Sequence, residues 1–464
     1  MKPIAIVAAA VCIGAPAAAC ARDITLADLR HEVSISGPKF SPDGKKIAFV
    51  KSVQDFAKNR FDDDVILADV SSGATRTLTF ERQDISNVRW SPSGDRLAFI
   101  ADAGTGDDSE SEIFVMPMDG GDARQITTCD NGVQEFEWRP DGRAIAFVTQ
   151  DDAPDSTPGH DAFEVGDQDY KATAAALPSH LWVVPASGGT ARRLTKGTWS
   201  LSTTAGGGSF GISWSGDGRR IAITQLPNAV YGDSDDATVA TVDAKSGAVT
   251  ELPGQRKHLV GATFAPAGDT LVMDWFRHGT FNSNASLVIA DAVSGRQSEL
   301  APGFDHNVDW AQWTLDSRAV LAGAEDGALT ELWRLGLDGS RQRYDLGGVN
   351  FANDADVTNG GAVAFVGTEA EHPDELYYAA SPNAAPRRLT DYNAWADSLT
   401  LGAQRELTWT GPGGYHEDGI VTLPPEFSPL KKYPLALVVH GGPQGASELS
   451  FGSLEQLFAA RGYV

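Results

Sequence analysis

Cysteine, basic residues and long apolar segments are all scarce in this chain of 464 residues. Of its three cysteines, Cys12 and Cys20 lie close to the N-terminus, which leaves Cys129 without an intrachain disulfide partner in the rest of the chain. The 37 Lys and Arg against 62 Asp and Glu give a formal net charge of −25 and a pI near 4.6. This negative field repels nucleic acid and anionic lipid, so we expect neither as a partner. Beyond the N-terminus no segment is long and apolar enough to predict a membrane span.

The N-terminal segment, residues 1–21, has the pattern of a secretory signal peptide: one Lys, an apolar run and then small residues. Ala19-Cys20-Ala21 fits a small-x-small cleavage site. The sequence therefore predicts export to the periplasm or the cell exterior. A lipoprotein acylated on Cys20 is the alternative, although Ala17 replaces the Leu that is usual three residues before such a cysteine.

A four-residue turn recurs from residue 35 onward, each time between an aromatic or apolar residue and an alternating strand pattern. Pro at the second position presets φ, and Gly at the end accepts positive φ. Four strands in each unit are typical of β-propeller blades, which must stack into a ring to bury both faces. The repeat predicts an all-β, seven-bladed propeller over residues 22–395, including an N-terminal lead-in segment. The turns are SPDG (41–44), SPSG (91–94), RPDG (139–142), SGDG (215–218), APAG (265–268), TLDS (314–317) and the weaker TNGG (358–361).

The third unit contains an insertion, residues 149–180, which predicts a long loop on one face of the ring. Downstream, GGSFG at 207–211 matches the letters of a nucleophile elbow. That motif works only when an apolar strand enters it and a helix leaves it. A Gly-rich run precedes Ser209 and a blade strand follows, so Ser209 is not predicted to be a nucleophile.

A different pattern occupies residues 396–464 and predicts the first part of an α/β-hydrolase domain. Residues 405–423 predict two strands joined by a turn, and LALVV (435–439) predicts a strand buried on both faces of a sheet. Residues 451–462 predict a helix, and Tyr463-Val464 would begin the next strand. The order strand, loop, helix, strand opens an α/β-hydrolase sheet. The predicted apolar stripe of the helix consists of Phe451, Leu454, Leu457 and Phe458.

The loop after LALVV begins HGGP, at residues 440–443. A seven-unit propeller followed by an apolar strand and HGGP resembles the prolyl oligopeptidase family of serine peptidases, in particular its acylaminoacyl peptidase and dipeptidyl aminopeptidase branch. The resemblance covers essentially residues 22–464. It implies that Gly442 donates the oxyanion-hole N–H, that Gly441 allows the bend, and that His440 braces the loop without being the general base. Glycine suits this role because no Cβ obstructs the approach of the main chain to the oxyanion.

The chain departs from the family in one large respect. Family members carry Ser, Asp and His, in that order, beyond this loop, so we expect an N-terminal fragment that lacks the triad and is inactive alone. The resemblance implies short peptide substrates, a propeller that limits access to them, and no metal or organic cofactor. The acidic runs Asp62-Asp63-Asp64 and 233–236 lack the spacing of a calcium loop and are interpreted as solvated surface.

The resemblance leaves two types of peptidase open, the dipeptidyl type and the acylaminoacyl type, which differ in the peptide end that they recognise. Dipeptidyl peptidases hold the free amine with acidic propeller residues, and Glu164 in the insertion is our substrate-binding candidate. Two other functions remain as alternatives. One is a non-catalytic TolB-like propeller that binds a partner in the envelope, although TolB-like propellers lack the LALVVHGGP strand and helix. The other is an esterase of the same fold.

Overall fold

The structure is a computed structural model that describes residues 22–104, 109–153, 163, 175–201, 211–277, 284–441 and 445–464. Seven antiparallel sheets follow one another along the chain, and each corresponds to one sequence unit. The predicted seven-bladed propeller is therefore confirmed. A short strand, β1 (Arg22–Asp23), precedes the blades and pairs in parallel with β31 (Leu399–Thr400), which follows them.

The strands of each blade are consecutive in the chain. Blade 1 contains β2 (Val33–Phe40), β3 (Lys46–Asp55), β4 (Arg60–Asp69) and β5 (Thr75–Thr77). Blade 2 contains β6 (Ser86–Trp90), β7 (Arg96–Asp102), β8 (Ser111–Pro117) and β9 (Arg124–Gln125). Blade 3 contains β10 (Glu135–Trp138), β11 (Ala144–Gln150), β12 (Ser179–Pro185) and β13 (Arg192–Arg193). Blade 4 contains β14 (Ser200–Leu201), β15 (Ser213–Trp214), β16 (Arg220–Leu226), β17 (Thr238–Asp243) and β18 (Val249–Glu251).

The remaining three blades each contain four strands. Blade 5 contains β19 (Leu259–Phe264), β20 (Thr270–Phe276), β21 (Ala285–Asp291) and β22 (Gln297–Glu299). Blade 6 contains β23 (Asn307–Trp313), β24 (Ala319–Asp326), β25 (Leu329–Gly336) and β26 (Arg341–Arg343). Blade 7 contains β27 (Asn350–Val357), β28 (Val363–Glu369), β29 (His372–Ala379) and β30 (Arg387–Arg388).

The recurring turns have the backbone conformation that their sequences require. In six of the seven, the N–H of the fourth residue donates to the carbonyl of the first, as Gly44 does to Ser41 at 2.7 Å. The fourth residue has a positive φ in all seven turns, including Ser317 at 58°. The Ser317 hydroxyl also accepts the N–H of Ala267 in the turn of the preceding blade, at 2.9 Å. This contact offsets part of the cost of a non-glycine residue in that conformation.

Apolar side chains fill the space between successive blades. The cluster between blades 1 and 2, for example, joins Val65 of β4 to Phe99 of β7, and both side chains are completely buried. Tryptophans that precede the turns add a hydrogen bond across four of these boundaries. Their indole N–H groups donate to a carbonyl of the preceding blade, always two residues before that blade's turn. The pairs are Trp90–Lys39, Trp138–Arg89, Trp214–Glu137 and Trp313–Thr263, at 2.9, 3.3, 3.3 and 3.0 Å.

Blades 1 and 7 close the ring without exchanging a strand. The Asp356 carboxylate of β27 accepts the backbone N–H of Phe40 in β2, at 2.7 Å. Asn393 exchanges two hydrogen bonds with the backbone of Val33, at 2.9 and 2.8 Å. An apolar cluster that includes Phe49 of blade 1 and Leu376 of blade 7 lies beneath these contacts. Side-chain hydrogen bonds and apolar packing therefore join blade 7 to blade 1 and close the ring.

The segment after the propeller matches the predictions in part. The two predicted strands are β32 (Gln404–Thr410) and β33 (His416–Thr422), which form a hairpin, and the predicted helix is α1 (Ser453–Ala460). The predicted buried strand at 435–439 is wrong, because four of these five residues lie exposed and none belongs to a sheet. Two hydrogen bonds, from the Ala436 N–H to Val464 and from the Val464 N–H to Pro434, are not enough for a ladder.

A strand buried on both faces needs paired neighbours and covering helices, and α1 is the only α-helix in the described ranges. The opening of an α/β-hydrolase domain is therefore not confirmed by these elements. The predicted stripe of α1 is also wrong: Leu454 is 51% exposed, while Gln456 and Ala459 face the protein interior. No helix in the part of the chain described is long and apolar enough to cross a bilayer.

Candidate active site

The loop that begins at His440 lies on the surface of the segment after the propeller. His440 and Gly441 are both exposed, and the His440 Nδ1 atom lies 3.2 Å from the Gly441 carbonyl oxygen. The loop folds back at Gly445, where a Cβ would lie 2.7 Å from that same oxygen. A residue other than glycine at 445 would clash with the backbone. A Cβ on Gly441 would meet open space, and its φ is not positive, so no feature of the described backbone demands glycine there.

Three residues that the sequence singled out lie outside the described residues. These are Gly442, the predicted oxyanion donor; Glu164, the candidate ligand of the substrate amine; and Ser209, the rejected nucleophile. Their roles stay predictions. Of the predicted loop residues, the structure places only His440 and Gly441, next to each other and open to solvent.

The root of the insertion that contains Glu164 is firmly held in blade 3. The His180 side chain is fully buried, and its Nδ1 and Nε2 atoms lie 3.1 Å from the Thr195 hydroxyl and 3.2 Å from the Gly197 carbonyl. Burial lowers the pKa of His180, which favours the neutral form of the ring. Asp151 pairs with Arg193 at 2.8 Å beside it.

The residues after the loop dock on one face of the propeller, which we call the docking face and define by Thr330, Asn350 and Thr368. The backbone N–H of Phe451 donates to the Thr368 hydroxyl at 3.1 Å. Glu448 accepts hydrogen bonds from the side chains of Thr330 and Asn350. Asn350 is the first residue of β27, so the docking face is the side of the ring on which the first strands of the blades begin.

A buried polar side chain, that of Gln456, anchors the helix α1 on the same side of the propeller. Gln456 is fully buried, its Oε1 accepts the N–H of Gly402, and its Nε2 donates to the carbonyls of Gly402 and Ala370. These three bonds, at 2.7 to 3.2 Å, satisfy the whole side-chain amide. A buried amide is tolerated only when it is paired in this way. The pairing of Gln456 therefore explains why the side of α1 that carries Gln456 and Ala459 faces the protein interior.

Three carboxylates from blades 5 and 6 gather near the docked segment, and we call Asp274, Asp309 and Glu325 the acidic cluster. The Asn307 side-chain amide donates to Asp309 at 2.7 Å and to Glu325 at 3.2 Å. Burial, followed by the charges of Glu325 and Glu448, raises the pKa of Asp309 to about 7. Burial and then the charge of Asp309 raise the pKa of Asp274 to about 7. Carboxylates that repel one another in this way gain stability when a cation joins them.

Sequence reasoning missed the acidic cluster. Two of its members, Asp274 and Asp309, are single acidic residues within strand patterns, VMDWF and NVDWAQW. An acidic residue next to a tryptophan inside a strand was the available signal. Without the ring, however, nothing in the sequence shows that these carboxylates meet on one face.

A second charged group lies on the first strands of blades 1, 2, 3 and 7, beside the recurring turns. Lys39, Arg89, Glu137 and Asp356 occupy equivalent positions in β2, β6, β10 and β27, each two residues before a turn. The Glu137 carboxylate accepts the backbone N–H of Trp214 in the next blade at 2.6 Å. Burial raises the pKa of Glu137 to about 8. Lys39, Glu137 and Asp356 each make a hydrogen bond to the backbone of a neighbouring blade.

The other polar features of the sequence have structural explanations. The interpretation of Asp62-Asp63-Asp64 as solvated surface is wrong for Asp63, which is 6% exposed and accepts the N–H of Ile85 at 3.0 Å. Burial raises the pKa of the Cys129 thiol to about 12, which makes it a poor nucleophile. Among the residues that the structure covers, no group of His, Cys, Asp and Glu is arranged to hold a metal ion.

Sequence comparisons relate this chain to known peptidases. A family model described as "TolB beta propeller domain" matches residues 24–174. Dipeptidyl-peptidase 5 of Porphyromonas gingivalis is 30% identical over 261 residues, which cover 54% of this chain and 38% of that protein. Dipeptidyl-peptidase 5 of Aspergillus fumigatus is 25% identical over 280 residues, which again cover 38% of its length. The chain thus spans well under half the length of these curated relatives.

Solved structures share the fold. An acylaminoacyl peptidase in complex with Z-Gly-Gly-Phe-chloromethyl ketone superposes with a TM-score of 0.73 at 18% identity, over 94% of this chain and 65% of that one. A Mycobacterium tuberculosis puromycin-hydrolyzing peptidase superposes with a TM-score of 0.69 at 14% identity, over 96% and 68%. Sequence and fold together support the resemblance predicted from the repeat and the HGGP loop: the chain is similar in sequence to dipeptidyl-peptidase 5 proteins and shares the fold of propeller-containing peptidases such as acylaminoacyl peptidase.

Proposed function

We propose that this chain forms the propeller and the first catalytic-domain segment of an exported serine peptidase that removes short units from peptides. The proposal assigns the Ser, Asp and His of the triad to residues outside these 464, so that the chain alone is inactive. The similarity to dipeptidyl-peptidase 5 proteins supports the reaction class. The signal-peptide pattern of residues 1–21 supports export.

One observation carries the proposal: the segment that contains the HGGP loop docks on the propeller face beside the acidic cluster. Glu448, which follows the loop, is close enough to Asp309 for its charge to raise the pKa of that carboxyl. A group that holds an oxyanion and a group that holds a cation would thus lie on one side of the ring. A peptide with a free N-terminus presents both a scissile carbonyl and an ammonium group.

In the proposed reaction the loop contributes electrostatic stabilisation. The triad serine attacks the peptide carbonyl after its proton passes to the histidine. The Gly442 N–H and the N–H after the serine then hold the oxyanion of the tetrahedral intermediate. Loss of one such donor costs about 3–4 kcal/mol of transition-state stabilisation. His440 braces the loop in this scheme, and its exposed ring takes no proton from the nucleophile.

The acidic cluster favours the dipeptidyl over the acylaminoacyl reaction. A protonated α-amine would relieve the repulsion among Asp274, Asp309 and Glu325, whereas an N-acyl group carries no charge and would not. Glu164, in the insertion of blade 3, is proposed as an additional ligand of that amine. The propeller would admit peptide ends and exclude folded proteins.

The experiment that tests the proposal uses the full gene product. It is assayed with a dipeptide p-nitroanilide that has a free amine, with its N-acetylated form and with a p-nitrophenyl ester. We expect hydrolysis of the free-amine anilide with the highest kcat/KM. A preference for the acetylated substrate would indicate an acylaminoacyl peptidase, and cleavage of the ester alone would indicate an esterase.

A labelling experiment separates catalysis from binding. A fluorophosphonate probe should label a single serine in the full gene product, and none in a protein limited to residues 22–464. Absence of both labelling and hydrolysis in the full product would contradict the peptidase proposal. It would support the alternative, a propeller that binds a partner in the envelope.

A further inference from the structure

A cavity of about 810 Å³ lies on the side of the propeller opposite the docking face. Its wall includes residues of the recurring turns of blades 1, 2 and 7, which follow the first strands of those blades. Because the docking face is the side on which these strands begin, the turns and the cavity lie on the other side. We call this space the turn-face cavity. Its volume is within the usual range of ligand-binding sites, about 300–1,000 Å³.

Two basic side chains from neighbouring blades line the turn-face cavity, Lys39 in β2 and Arg89 in β6. Lys39 donates one hydrogen bond from Nζ to the Ala355 carbonyl at 3.3 Å, which leaves its other two N–H groups for a ligand. Arg89 donates from Nε to the Asn87 side chain at 2.8 Å, and its two terminal nitrogens have no hydrogen-bond partner in the ranges that the structure describes. Neither cation forms an ion pair in that part of the chain.

The carboxylates near these two cations have other hydrogen-bond partners. Burial lowers the pKa of Lys39, and the nearby charges of Asp356 and Asp354 oppose this effect. Asp356 accepts two hydrogen bonds at the boundaries of blade 7 with blades 1 and 6, and Asp354 accepts a backbone N–H of β2 at 2.5 Å. Glu137, which lies near Arg89, accepts a backbone N–H of blade 4 at 2.6 Å. A ligand with one negative charge therefore suits the cavity better than the more highly charged phosphate, which these carboxylates would repel.

Aromatic and apolar side chains form another part of the wall of the turn-face cavity. The indole N–H of Trp90 donates to the Lys39 carbonyl at 2.9 Å, which fixes the ring beside the cavity. The Tyr378 ring of blade 7 packs edge-on against Phe40, with 6.3 Å between the ring centroids. Leu315, in the turn of blade 6, is 46% exposed at the same cavity. A ligand with an apolar group next to its negative charge would remove this surface from water.

We infer that the turn-face cavity binds a carboxylate attached to an apolar group, as found at the C-terminus of a peptide that ends in an apolar residue. Lys39 and Arg89 bind the carboxylate through charge-assisted hydrogen bonds. Trp90, Tyr378 and Leu315 contact the last side chain of the peptide. The choice of a peptide as the ligand rests on the proposed function, whereas the charges and the apolar wall select the chemistry independently of it.

The test measures the binding of N-acetyl-Ala-Ala-Leu to the full gene product by titration calorimetry. The protein is first treated with a fluorophosphonate, so that an active serine cannot cleave the peptide. N-acetylation removes the amine that the acidic cluster would hold. We expect the peptide acid to bind at least about 10-fold more tightly than its C-terminal amide, because the amide has no negative charge for the two cations to bind.

Two variants test the cations separately. Lys39→Met and Arg89→Met each remove one charge and keep an unbranched side chain, and we expect each to weaken the binding of the peptide acid about 10-fold. The matched control is Lys45→Met, which removes an exposed cation next to the turn of blade 1, outside the cavity wall. We expect the control to bind within about twofold of the wild type. If Lys39→Met does not fold, because the Ala355 carbonyl loses its donor, Arg89→Met provides the same test.

The outcomes distinguish this inference from the proposed function. Equal affinities for the peptide acid and the amide would overturn the inference, and so would cation variants that bind the acid as the control does. Tighter binding of free leucine or of inorganic phosphate than of the peptide would overturn the assignment to a peptide C-terminus. A full gene product that hydrolyses no substrate but binds the peptide acid selectively supports the site and contradicts only the peptidase proposal. An active wild type without selective binding overturns the site alone.

Discussion

Trp313 of blade 6 donates its indole N–H to the carbonyl oxygen of Thr263 in blade 5, at 3.0 Å. The same bond recurs at three other blade boundaries, each time between a tryptophan before a turn and the residue two positions before the turn of the preceding blade. The aromatic residue that marks the repeat in the sequence thus has two roles. Its ring packs between blades, and its polar edge sets their spacing.

Replacing Trp313, whose side chain is buried, with Phe should destabilise the propeller by about 1–2 kcal/mol, because the Thr263 carbonyl loses its donor. Thermal unfolding of the two proteins measures the difference. The matched control is Trp409→Phe, since the indole of Trp409 also donates, to Glu417, but is 45% exposed on the hairpin. Equal shifts of the melting temperature in the two variants would show that the hydrogen bond between blades contributes no more to stability than the exposed one on the hairpin.

Asp356 should be the most sensitive carboxylate of the ring closure. Its two oxygens accept the Phe40 backbone N–H and the Gln312 side-chain amide, at 2.7 and 2.6 Å. Asp356→Ala leaves both donors unpaired, and we expect a loss of about 2–3 kcal/mol in the free energy of unfolding. Asp345→Ala is the control, because the exposed Asp345 accepts the N–H of Gly347 within its own turn and not across the closure. An Asp356 variant as stable as the control would contradict a role in closure.

Glu137 predicts a pH dependence whose sign follows from its raised pKa. The carboxyl has a pKa of about 8 in the native state and an ordinary value when unfolded, so the native state binds the extra proton between these values. The free energy of unfolding must therefore fall as the pH rises from about 4.5 to 8. The stabilising contribution of the proton on Glu137 is fully present only at the acid end of this range. Glu137→Gln keeps an acceptor for the backbone N–H of Trp214 and should remove the part of the pH dependence of stability that Glu137 causes.

The measurement is the melting temperature of the wild type minus that of Glu137→Gln, taken from pH 5 to pH 9. We expect the difference to become more negative as the pH rises. The control is Glu251→Gln, which changes an exposed carboxylate on the outer strand of blade 4. A difference that stays constant across the pH range would show that Glu137 is ionised in the native state throughout.

Asp309→Asn should alter substrate choice in the full gene product. Removing this charge weakens the binding of an ammonium group, so we expect KM for a free-amine dipeptide substrate to rise about 10-fold. KM for the N-acetylated substrate should stay within about twofold, since it carries no amine charge to lose. Glu251→Gln is again the control. Equal changes for both substrates would exclude amine recognition by the acidic cluster.

The blades were predictable because their signals are local. Each turn and its flanking strands lie within a few residues, and the φ angles at Gly44 and its equivalents follow from the turn sequences. Contacts between blades were not predictable in this way. The bond from the Trp214 N–H to Glu137 joins residues 77 positions apart, and a carboxylate in a strand pattern looks the same whether it faces solvent or a neighbouring blade.

The segment after the propeller shows the same limit. The apolar run at 435–439 predicts a buried strand by composition, yet burial depends on neighbours that the run itself does not specify. Leu437 is 79% exposed as a result. The helix α1 was predicted at the right place but with the wrong inward side, because one amide, Gln456, fits the backbone of Gly402 and Ala370 better than leucine would.

Because every blade is contiguous in the chain, each sheet has all its strands as soon as its own residues have left the ribosome. The pairing of Val33 with Asn393 is different, since it joins residues 360 positions apart and has to wait until the seventh blade is made. The growing protein therefore exists first as an open arc whose two ends expose apolar surface, and its vulnerability to misassembly and proteolysis during synthesis lies at this single seam.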